Sequence, residues 1–507
     1  MLRSNWMPRL CGVFLLSALS AVTLPAQTLT TLYSFGGTDG DEPAGGLIQS
    51  ASGIFYGTTK WGGTNDAGNI FKINSDGALT SLYSFCSGGG LCPDGAQPIA
   101  GLIQATDGNL YGTTLIGGNK DRGGTIFKIA LNGTLTTLYT FCSQVQRDCT
   151  DGNEPIAGLV QGAGGNFYGT TIYGGHDNCS SFGDSYGCGT IFQLTAGGAL
   201  TTLYRFCLQT DCPDGRSPAT GLIQGIDGNF YGTAGGGGAD GCGFDGAGCG
   251  TIFKITPTGM LTTVRRFDGS DGSDPSSALV QGTDGNFFGT TAEGGTNCAP
   301  YGCGTIFKIT PEGTLTTLYS FCSQSDCPDG DEPVGLVQGI DGNFYGTTAF
   351  GGTGTCSAEG GCGTIFRLTP NGALTTLYTF CSHGVNGCPD GEIPVAGLLQ
   401  GTDGNFYGTT SSGGIAGDGT VFRLSMGLGP FVETNPVAAK VGKKVGILGT
   451  NLTGATSVTF NGTAAAFKVH SQTLIVAEVP SGATTGTVQV QLPSGTLSSN
   501  VPFVVLP

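Results

Sequence analysis

Basic residues are scarce in this chain of 507 residues. Lysine and arginine together number 20 against 36 acidic residues, and the formal net charge is −16. Nucleic acids and anionic membranes attract proteins through clustered positive charge. The composition therefore predicts an acidic protein that binds neither.

Motifs for common catalytic chemistry are missing as well. The chain has 3 histidines, and it contains no nucleophile elbow, phosphate-binding loop or histidine metal motif. Acidic residues are plentiful, so a carboxylate pair that cleaves glycosidic bonds stays open, but no spacing selects a pair. The sequence favours a non-enzymatic protein and predicts no catalytic residue and no required cofactor.

A long apolar run occurs only near the start of the sequence. Arg3 and Arg9 precede an apolar stretch from Leu10 to Leu24, which is shorter than the roughly 20 residues of a spanning helix. This pattern predicts an export signal over residues 1–26, cleaved after Ala26. We therefore expect a secreted or cell-surface monomer without a membrane span.

Cysteine is abundant, and its pattern fits an exported protein. Of 19 cysteines, Cys11 lies in the predicted signal, and the other eighteen form nine pairs that are close in sequence. Zinc binding is the alternative, but the spacings vary and no paired histidines accompany them. Proximity predicts nine local disulfides: Cys86–Cys92, Cys142–Cys149, Cys179–Cys188, Cys207–Cys212, Cys242–Cys249, Cys298–Cys303, Cys322–Cys327, Cys356–Cys362 and Cys381–Cys388.

Glycine, with 95 residues, occupies fixed places in an internal repeat. The segment "DGNFYGTT" or a close variant occurs seven times, with its first large apolar residue at Phe55, Leu110, Phe167, Phe230, Phe287, Phe344 and Phe406. One unit, "GLVQGIDGNFYGTTAFGGTGTCSAEGGCGTIFRLTPNGALTTLYTFCS" (335–382), contains four strand signals separated by turn residues. Each unit is therefore predicted to be a four-stranded antiparallel sheet.

Seven such sheets can bury their faces by packing around an axis. The segment 29–35, "LTTLYSF", copies the fourth strand, whereas the last unit lacks one. The N-terminal strand is therefore predicted to complete the last blade. The sequence predicts an all-β protein with a seven-bladed β-propeller of four-stranded blades over residues 27–426.

The composition changes after residue 426. Residues 427–507 contain no cysteine and read as six or seven short strands. The stretches "GTNLTGATSVTFNG" and "VPSGATTGTVQV" resemble the IPT/TIG family. This resemblance implies a small Ig-like β-sandwich that serves as a spacer or binding module.

The array of repeats, residues 29–425, also resembles a known family. Its pattern "GLIQGTDGNFYGTT…GG…GTIFKIT…G.LTTLYSF" resembles the GloVer tandem-repeat proteins, which are exported bacterial proteins with a varied choice of C-terminal anchor. The resemblance implies export and a repeat fold, and it implies no activity.

One face of the predicted propeller is the candidate binding surface. The loops after the second and fourth strands carry all nine cysteine pairs, and function concentrates on elaborated loops of a rigid scaffold. The position before "GG" in each second-strand loop varies between blades. Trp61, Tyr173, Glu293 and Phe350 stand there as candidate ligand-binding residues for a sugar or peptide, with loop anchoring as the alternative.

An aspartate recurs before each first strand. A ring of these carboxylates could hold a cation such as calcium, and the alternative is that each caps its own turn. The seven aspartates are Asp39, Asp94, Asp151, Asp214, Asp271, Asp329 and Asp390.

The sequence thus predicts a secreted, disulfide-stapled binding or scaffold protein. Its partner would be an extracellular protein or a polysaccharide, bound through one propeller face. A structural component of the cell envelope and an extracellular carbohydrate-active enzyme, either a hydrolase or a lyase, are the alternatives.

Overall fold

The computed structural model describes residues 27–118, 123–143, 149–175, 187–238, 248–297, 302–356, 360–382 and 387–506. The predicted export signal lies outside these residues. Within the described ranges the chain forms strands and turns but no helix, and hence no helix that could cross a membrane. The fold is all-β.

Seven four-stranded antiparallel sheets form between residues 28 and 425 of the described chain. Sheets 1 to 3 comprise β2 (Ile48–Gln49), β3 (Phe55–Thr59), β4 (Asn69–Ile73) and β5 (Leu79–Ser84); β6 (Ile103–Gln104), β7 (Leu110–Thr114), β8 (Thr125–Ile129) and β9 (Leu135–Thr140); and β10 (Val160–Gln161), β11 (Phe167–Thr171), β12 (Thr190–Leu194) and β13 (Leu200–Arg205). Sheets 4 to 6 comprise β14 (Ile223–Gln224), β15 (Phe230–Ala234), β16 (Thr251–Ile255) and β17 (Leu261–Arg266); β18 (Val280–Gln281), β19 (Phe287–Thr291), β20 (Thr305–Ile309) and β21 (Leu315–Ser320); and β22 (Asp331–Gln338), β23 (Phe344–Phe350), β24 (Thr364–Leu368) and β25 (Leu374–Thr379). Sheet 7 comprises β26 (Leu399–Gln400), β27 (Phe406–Thr410), β28 (Thr420–Ser425) and the N-terminal strand β1 (Thr28–Ser34).

Sheet 7 is completed from the other end of the chain. Its strand order is β1-β28-β27-β26, and β1 pairs antiparallel with β28 from Thr28 opposite Ser425 to Ser34 opposite Thr420. The N-terminal strand therefore takes the place that the fourth strand holds in the other sheets.

The first strand of most sheets is shorter than its sequence suggests. Six of the seven first strands contain two residues, and β22 alone extends to eight. The apolar residue before each short strand belongs to a loop that follows a proline. Proline offers no backbone N–H to a ladder, but it does not alone decide where pairing starts, because Pro333 lies within β22 opposite Thr348.

Aromatic residues of the second strands join neighbouring sheets. The rings of Tyr111 and Phe167 stack with centroids 4.2 Å apart, and equivalent pairs follow along the array. Tyr407 of sheet 7 meets Phe55 of sheet 1 at 4.1 Å. Sheet 7 therefore contacts sheet 1.

A second set of contacts repeats this order. The glutamine that ends each first strand accepts a hydrogen bond at 2.9–3.2 Å from a backbone N–H in the first turn of the preceding sheet. These contacts join Gln104 to Ala51, Gln161 to Thr106, Gln224 to Ala163, Gln281 to Ile226, Gln338 to Thr283, Gln400 to Ile340 and Gln49 to Thr402. The sheets follow one another in cyclic order, as in a propeller.

The C-terminal residues form two further four-stranded sheets and a strand pair. The strands are β29 (Glu433–Asn435), β30 (Ala438–Lys440), β31 (Lys444–Leu448), β32 (Ser457–Phe460), β33 (Thr463–Ala464), β34 (Phe467–Val469), β35 (Leu474–Glu478), β36 (Val488–Leu492), β37 (Gly495–Ser498) and β38 (Val504–Leu506). Their sheet orders are β29-β31-β35-β34 and β33-β32-β36-β37, while β30 pairs parallel with β38. Alternate residues such as Val445, Ile475 and Val490 are buried in a shared core.

This C-terminal domain rests on the turns that follow the first strands, which we call the hairpin face (residues 50–54, 105–109 and their equivalents). The Thr473 hydroxyl donates to the Ala51 carbonyl at 2.9 Å, and the Asn435 amide donates to the Gln104 carbonyl at 3.1 Å. The Phe431 N–H donates to Thr402 at 3.1 Å. The domain thus covers part of the hairpin face.

Candidate functional site

Disulfides concentrate on the face opposite the hairpin face, which we call the stapled face. The structure joins Cys86 to Cys92, Cys142 to Cys149, Cys207 to Cys212, Cys322 to Cys327, Cys356 to Cys362, and Cys381 to Cys388. Cys179, Cys242 and Cys298, the other predicted partners, lie outside the described residues.

The two cysteine-bearing loops of a sheet meet on this face. The sulfur of Cys188, from the loop after β11, lies within 4.8 Å of the sulfurs of Cys207 and Cys212, from the loop after β13. Similar groups form around Cys303 and around Cys362. All their cysteines are disulfide-bonded, and metals bind the free thiolate. These groups therefore act as rigid supports of the loops.

Each recurrent aspartate is held by the fourth strand that precedes it. The Asp151 carboxylate accepts the Tyr139 hydroxyl at 2.8 Å and the Cys142 N–H at 3.1 Å. The same tyrosine contact occurs at Asp39, Asp94, Asp214, Asp329 and Asp390. In the described chain, none of the seven aspartates belongs to a group of side chains whose ligand atoms lie close enough together to hold a metal ion. The contacts support turn capping.

The fourth strand of sheet 4 offers a different partner to the aspartate that follows it. Arg265 stands where the other sheets have tyrosine, and its guanidinium forms a salt bridge with Asp271. The Asp268 N–H donates to the same carboxylate at 2.9 Å. The aspartate keeps its backbone contact while the partner side chain changes from neutral to cationic.

The variable positions of the stapled face stand in backbone pairs. Trp61 exchanges two hydrogen bonds of 3.0 Å with Asp41, and Tyr173 pairs likewise with Asn153 and Glu293 with Ser273. Phe350 lies opposite Asp331 at the end of β23. We call these paired positions the rim.

The four candidate rim residues do not form one cluster. Trp61, Tyr173 and Phe350 belong to sheets 1, 3 and 6, and Glu293 belongs to sheet 5. All four are half-buried. No ring-to-ring contact joins the three aromatic residues within the described chain. The rim therefore offers single aromatic surfaces rather than an aromatic platform.

Seven further residues of this face, which together with the rim we call its mouth, have a backbone conformation that the sequence did not predict. Each precedes a proline and has a left-handed backbone; they are Glu42, Gln97, Glu154, Ser217, Asp274, Glu332 and Ile393, with φ between 51° and 57°. Left-handed conformations are unfavourable for residues other than glycine. The sequence signal was the recurring residue before proline, but such residues ordinarily adopt an extended conformation.

The backbone N–H groups of these residues donate hydrogen bonds to the preceding sheet. The Ser217 N–H donates to the Cys188 carbonyl of the preceding sheet at 2.8 Å, and the Gln97 N–H donates to Ala67 at 2.8 Å. The Glu42 N–H donates to Asp418 of sheet 7 at 3.3 Å. The left-handed backbone thus has a structural reason, and the side chains at the seven positions differ in type.

Acidic residues of the rim and of the left-handed positions before proline cluster between sheets 5 and 6. Burial raises the pKa of Asp274, and burial together with the Asp274 charge raises the pKa of Glu293. The pKa of Glu332 is raised by burial and by Asp331, Glu293 and Asp274. Like charges held this close disfavour ionisation. The cluster is suited to a cationic group or to proton transfer.

Glycine makes room for this cluster. A β-carbon on Gly235 of sheet 4 would stand 2.7 Å from a carboxylate oxygen of Asp274. Other sheets carry larger residues at this position, such as Lys60 and Leu115. The mouth of the stapled face is therefore asymmetric, with one acidic cluster at sheets 4 to 6 and another around Asp41, Glu42 and Asp418 where sheet 7 meets sheet 1.

A family comparison covers most of the array. The sequence model of the Gloeobacter/Verrucomicrobia repeat matches residues 18–182, 179–327 and 299–471. The chain belongs to this repeat family. No curated protein matches it.

Solved structures resemble this Gloeobacter/Verrucomicrobia repeat protein only distantly. The extracellular domain of a protein assigned to the hybrid two-component systems of B. thetaiotaomicron has 11% identity and a TM-score of 0.46. The alignment covers 95% of this chain and 58% of that one, so the chain spans less than two thirds of its length. A gluconolactonase from Xanthomonas campestris has 12% identity and a TM-score of 0.37, with coverage of 79% and 90%. These similarities support no functional argument.

Proposed function

We propose that the seven sheets are the blades of a closed seven-bladed propeller and that residues 427–507 form an Ig-like domain of the IPT/TIG type. The cyclic glutamine contacts support closure. The buried alternation in β31, β35 and β36 supports a sandwich. The GloVer tandem-repeat proteins carry varied C-terminal anchors, and in this proposal the Ig-like domain occupies the corresponding C-terminal position.

We further propose that the protein is a secreted binding or scaffold protein that engages an extracellular partner through the stapled face. The disulfides favour an oxidising compartment outside the cytoplasm. One observation carries the choice of face: the C-terminal domain rests on the hairpin face. The opposite face keeps its varied side chains available.

Charge indicates the kind of partner. The mouth carries Glu42, Asp274, Glu293, Asp331 and Glu332, and the whole chain has a net charge of −16. A surface of one sign attracts the opposite sign and repels its own. The proposed partner is an extracellular protein or a polysaccharide that presents amino groups, with a rim aromatic such as Trp61 as a stacking surface.

An array of basic peptides and glycans, including amino-sugar polymers, tests this proposal. Asp274→Asn with Glu332→Gln should weaken binding about ten-fold, and added salt should weaken wild-type binding. Trp61→Ala should reduce binding of ring-shaped ligands. Glu312→Gln, an exposed change in a turn between third and fourth strands, is the control. Equal loss in the control, or no binding to any probe, would refute the proposal.

A hydrolase or lyase that cleaves an extracellular glycan is the second candidate. The raised pKa values of Asp274 and Glu293 favour it, because the carboxyl group that serves as general acid in a glycosidase has its pKa shifted in this direction by its surroundings. A polysaccharide degradation screen with Glu293→Gln and the control Glu312→Gln distinguishes the two candidates. Turnover that Glu293→Gln alone abolishes would favour the enzyme.

A further inference from the structure

A cavity of about 450 Å³ lies where the C-terminal domain meets the array. Its wall includes the inner-edge residues Ile48, Ile103, Leu159 and Leu399 on one side and Glu433 on the other. Pockets that bind small molecules fall in the range of about 300–1,000 Å³ and are mostly apolar with a few polar groups. The cavity has this size and character.

The amides that line the cavity are already engaged. The side-chain oxygen of Gln104 accepts the Ala51 N–H at 3.0 Å, and its side-chain amide donates to Gly108 at 3.0 Å. Gln161 makes the equivalent pair of contacts, and the Asn435 amide donates to Gln104. These groups hold the sheets and the domain together, so they offer little to a ligand.

Glu433 differs from all of them. No described residue donates a hydrogen bond or forms a salt bridge to its carboxyl group, and it is the one titratable group among the residues that line the cavity. Glu433 lines the cavity and is half-buried, and burial alone raises its pKa to about 7. A carboxylate in apolar surroundings gains stability from an opposite charge.

The chemistry of the wall narrows the ligand class. A sugar would leave several hydroxyl groups without partners against Ile48, Ile103 and Leu159. A calcium ion takes six to eight oxygen ligands, and the wall presents a single carboxylate. An anion would be repelled. An apolar molecule with one ammonium group satisfies both the wall and the carboxylate.

We propose that this cavity binds a small amphipathic primary amine, with its ammonium group paired to Glu433 and its hydrocarbon part against Ile48, Ile103 and Leu159. The site lies on the hairpin side of the array and is independent of the stapled face. It includes residues of both domains, so a bound amine would also strengthen their junction.

Calorimetric titration of the full mature chain with hexylammonium, and with hexanol as the neutral match, tests this site. We expect saturable binding of hexylammonium that weakens at least about ten-fold in Glu433→Gln. Hexanol should bind more weakly and equally to both proteins. Glu478→Gln, an exposed change in the same domain, should bind like wild type.

Acidification supplies an independent readout. Hexylammonium stays charged, whereas Glu433 loses its charge below a pKa of about 7. Binding should therefore be weaker at about pH 5.5 than at about pH 8.5 in wild type, and Glu433→Gln should lose this dependence. The half-exposed Val437 also lines the cavity, and Val437→Trp should block hexylammonium while the melting temperature reports that the chain is folded. Absence of saturable binding in wild type, or equal amine affinity in Glu433→Gln, would overturn the proposal.

Discussion

At the scale of single residues, the repeat contains two kinds of position. Some residues, such as Asp151 and its tyrosine partner, perform the same structural contact in nearly every sheet. Others, such as Trp61 and Glu293, share a backbone pairing but differ in side chain. The first kind stabilises the scaffold, and the second kind leaves room for a specific surface.

The tyrosine–aspartate contact can be tested with a natural control. Tyr139→Phe removes the hydroxyl that donates to Asp151 and should lower the free energy of unfolding by about 1 kcal/mol. Arg265→Tyr introduces into sheet 4 the partner used elsewhere and should change stability by less than about 0.5 kcal/mol. Urea denaturation measures both, and an unchanged Tyr139→Phe protein would contradict the role assigned to the contact.

Sequence reasoning reached part of this residue-level account. It named turn capping as one of two roles for the aspartates, because aspartate before glycine is a common turn pattern. It did not find the tyrosine donors, since they lie on a different strand and the strand pattern gives no partner. The left-handed Glu42 and Asp274 were missed because a residue before proline is ordinarily extended.

At the scale of elements, the second strand is the most constrained part of each sheet. All five residues of β3 are buried, with the Phe55 ring against sheet 7 and Gly57 against the side chains of its own sheet. The short first strands were not foreseen, because hydrophobic pattern alone does not show where pairing begins.

Glycine in the second strand should be irreplaceable for reasons of space. A β-carbon on Gly57 would lie 2.5 Å from the Phe71 ring and 2.8 Å from Leu47, so Gly57→Ala should cost about 1–3 kcal/mol through overpacking. Gly164→Ala is the matched control, because nothing lies within 4 Å of its β-carbon position. Equal melting temperatures for the two variants would contradict this explanation.

At the scale of the whole molecule, the C-terminal domain covers part of the hairpin face. This arrangement was not predictable from sequence, because Asn435 and Thr473 are isolated polar residues outside the repeat. The N-terminal strand was predictable, because its sequence copies the missing fourth strand. The repeat sequence therefore predicts how the seventh sheet is completed, but it does not predict how the C-terminal domain packs on the array.

The domain junction should make stability depend on pH. The pKa of Glu433 is about 7 in the folded protein against an ordinary value of 4.5, so the folded state holds this proton more tightly than the unfolded state. The free energy of unfolding should therefore fall as pH rises from about 4.5 to about 7, by up to about 3 kcal/mol. Denaturation over this range measures it, and Glu433→Gln should lack this contribution. An identical slope in that variant would exclude Glu433 as the cause.

The pairing of Thr28 with Ser425 also bears on the order of folding. The strand made first has no partner until the third strand of the last sheet has been synthesised. The entropy cost of closing a loop grows only slowly with its length. The long separation nevertheless delays the final contact and leaves strand edges open meanwhile. A chain released early would keep one unpaired sheet edge, and such edges recruit other chains. Completion of the array thus requires the whole of residues 28–425.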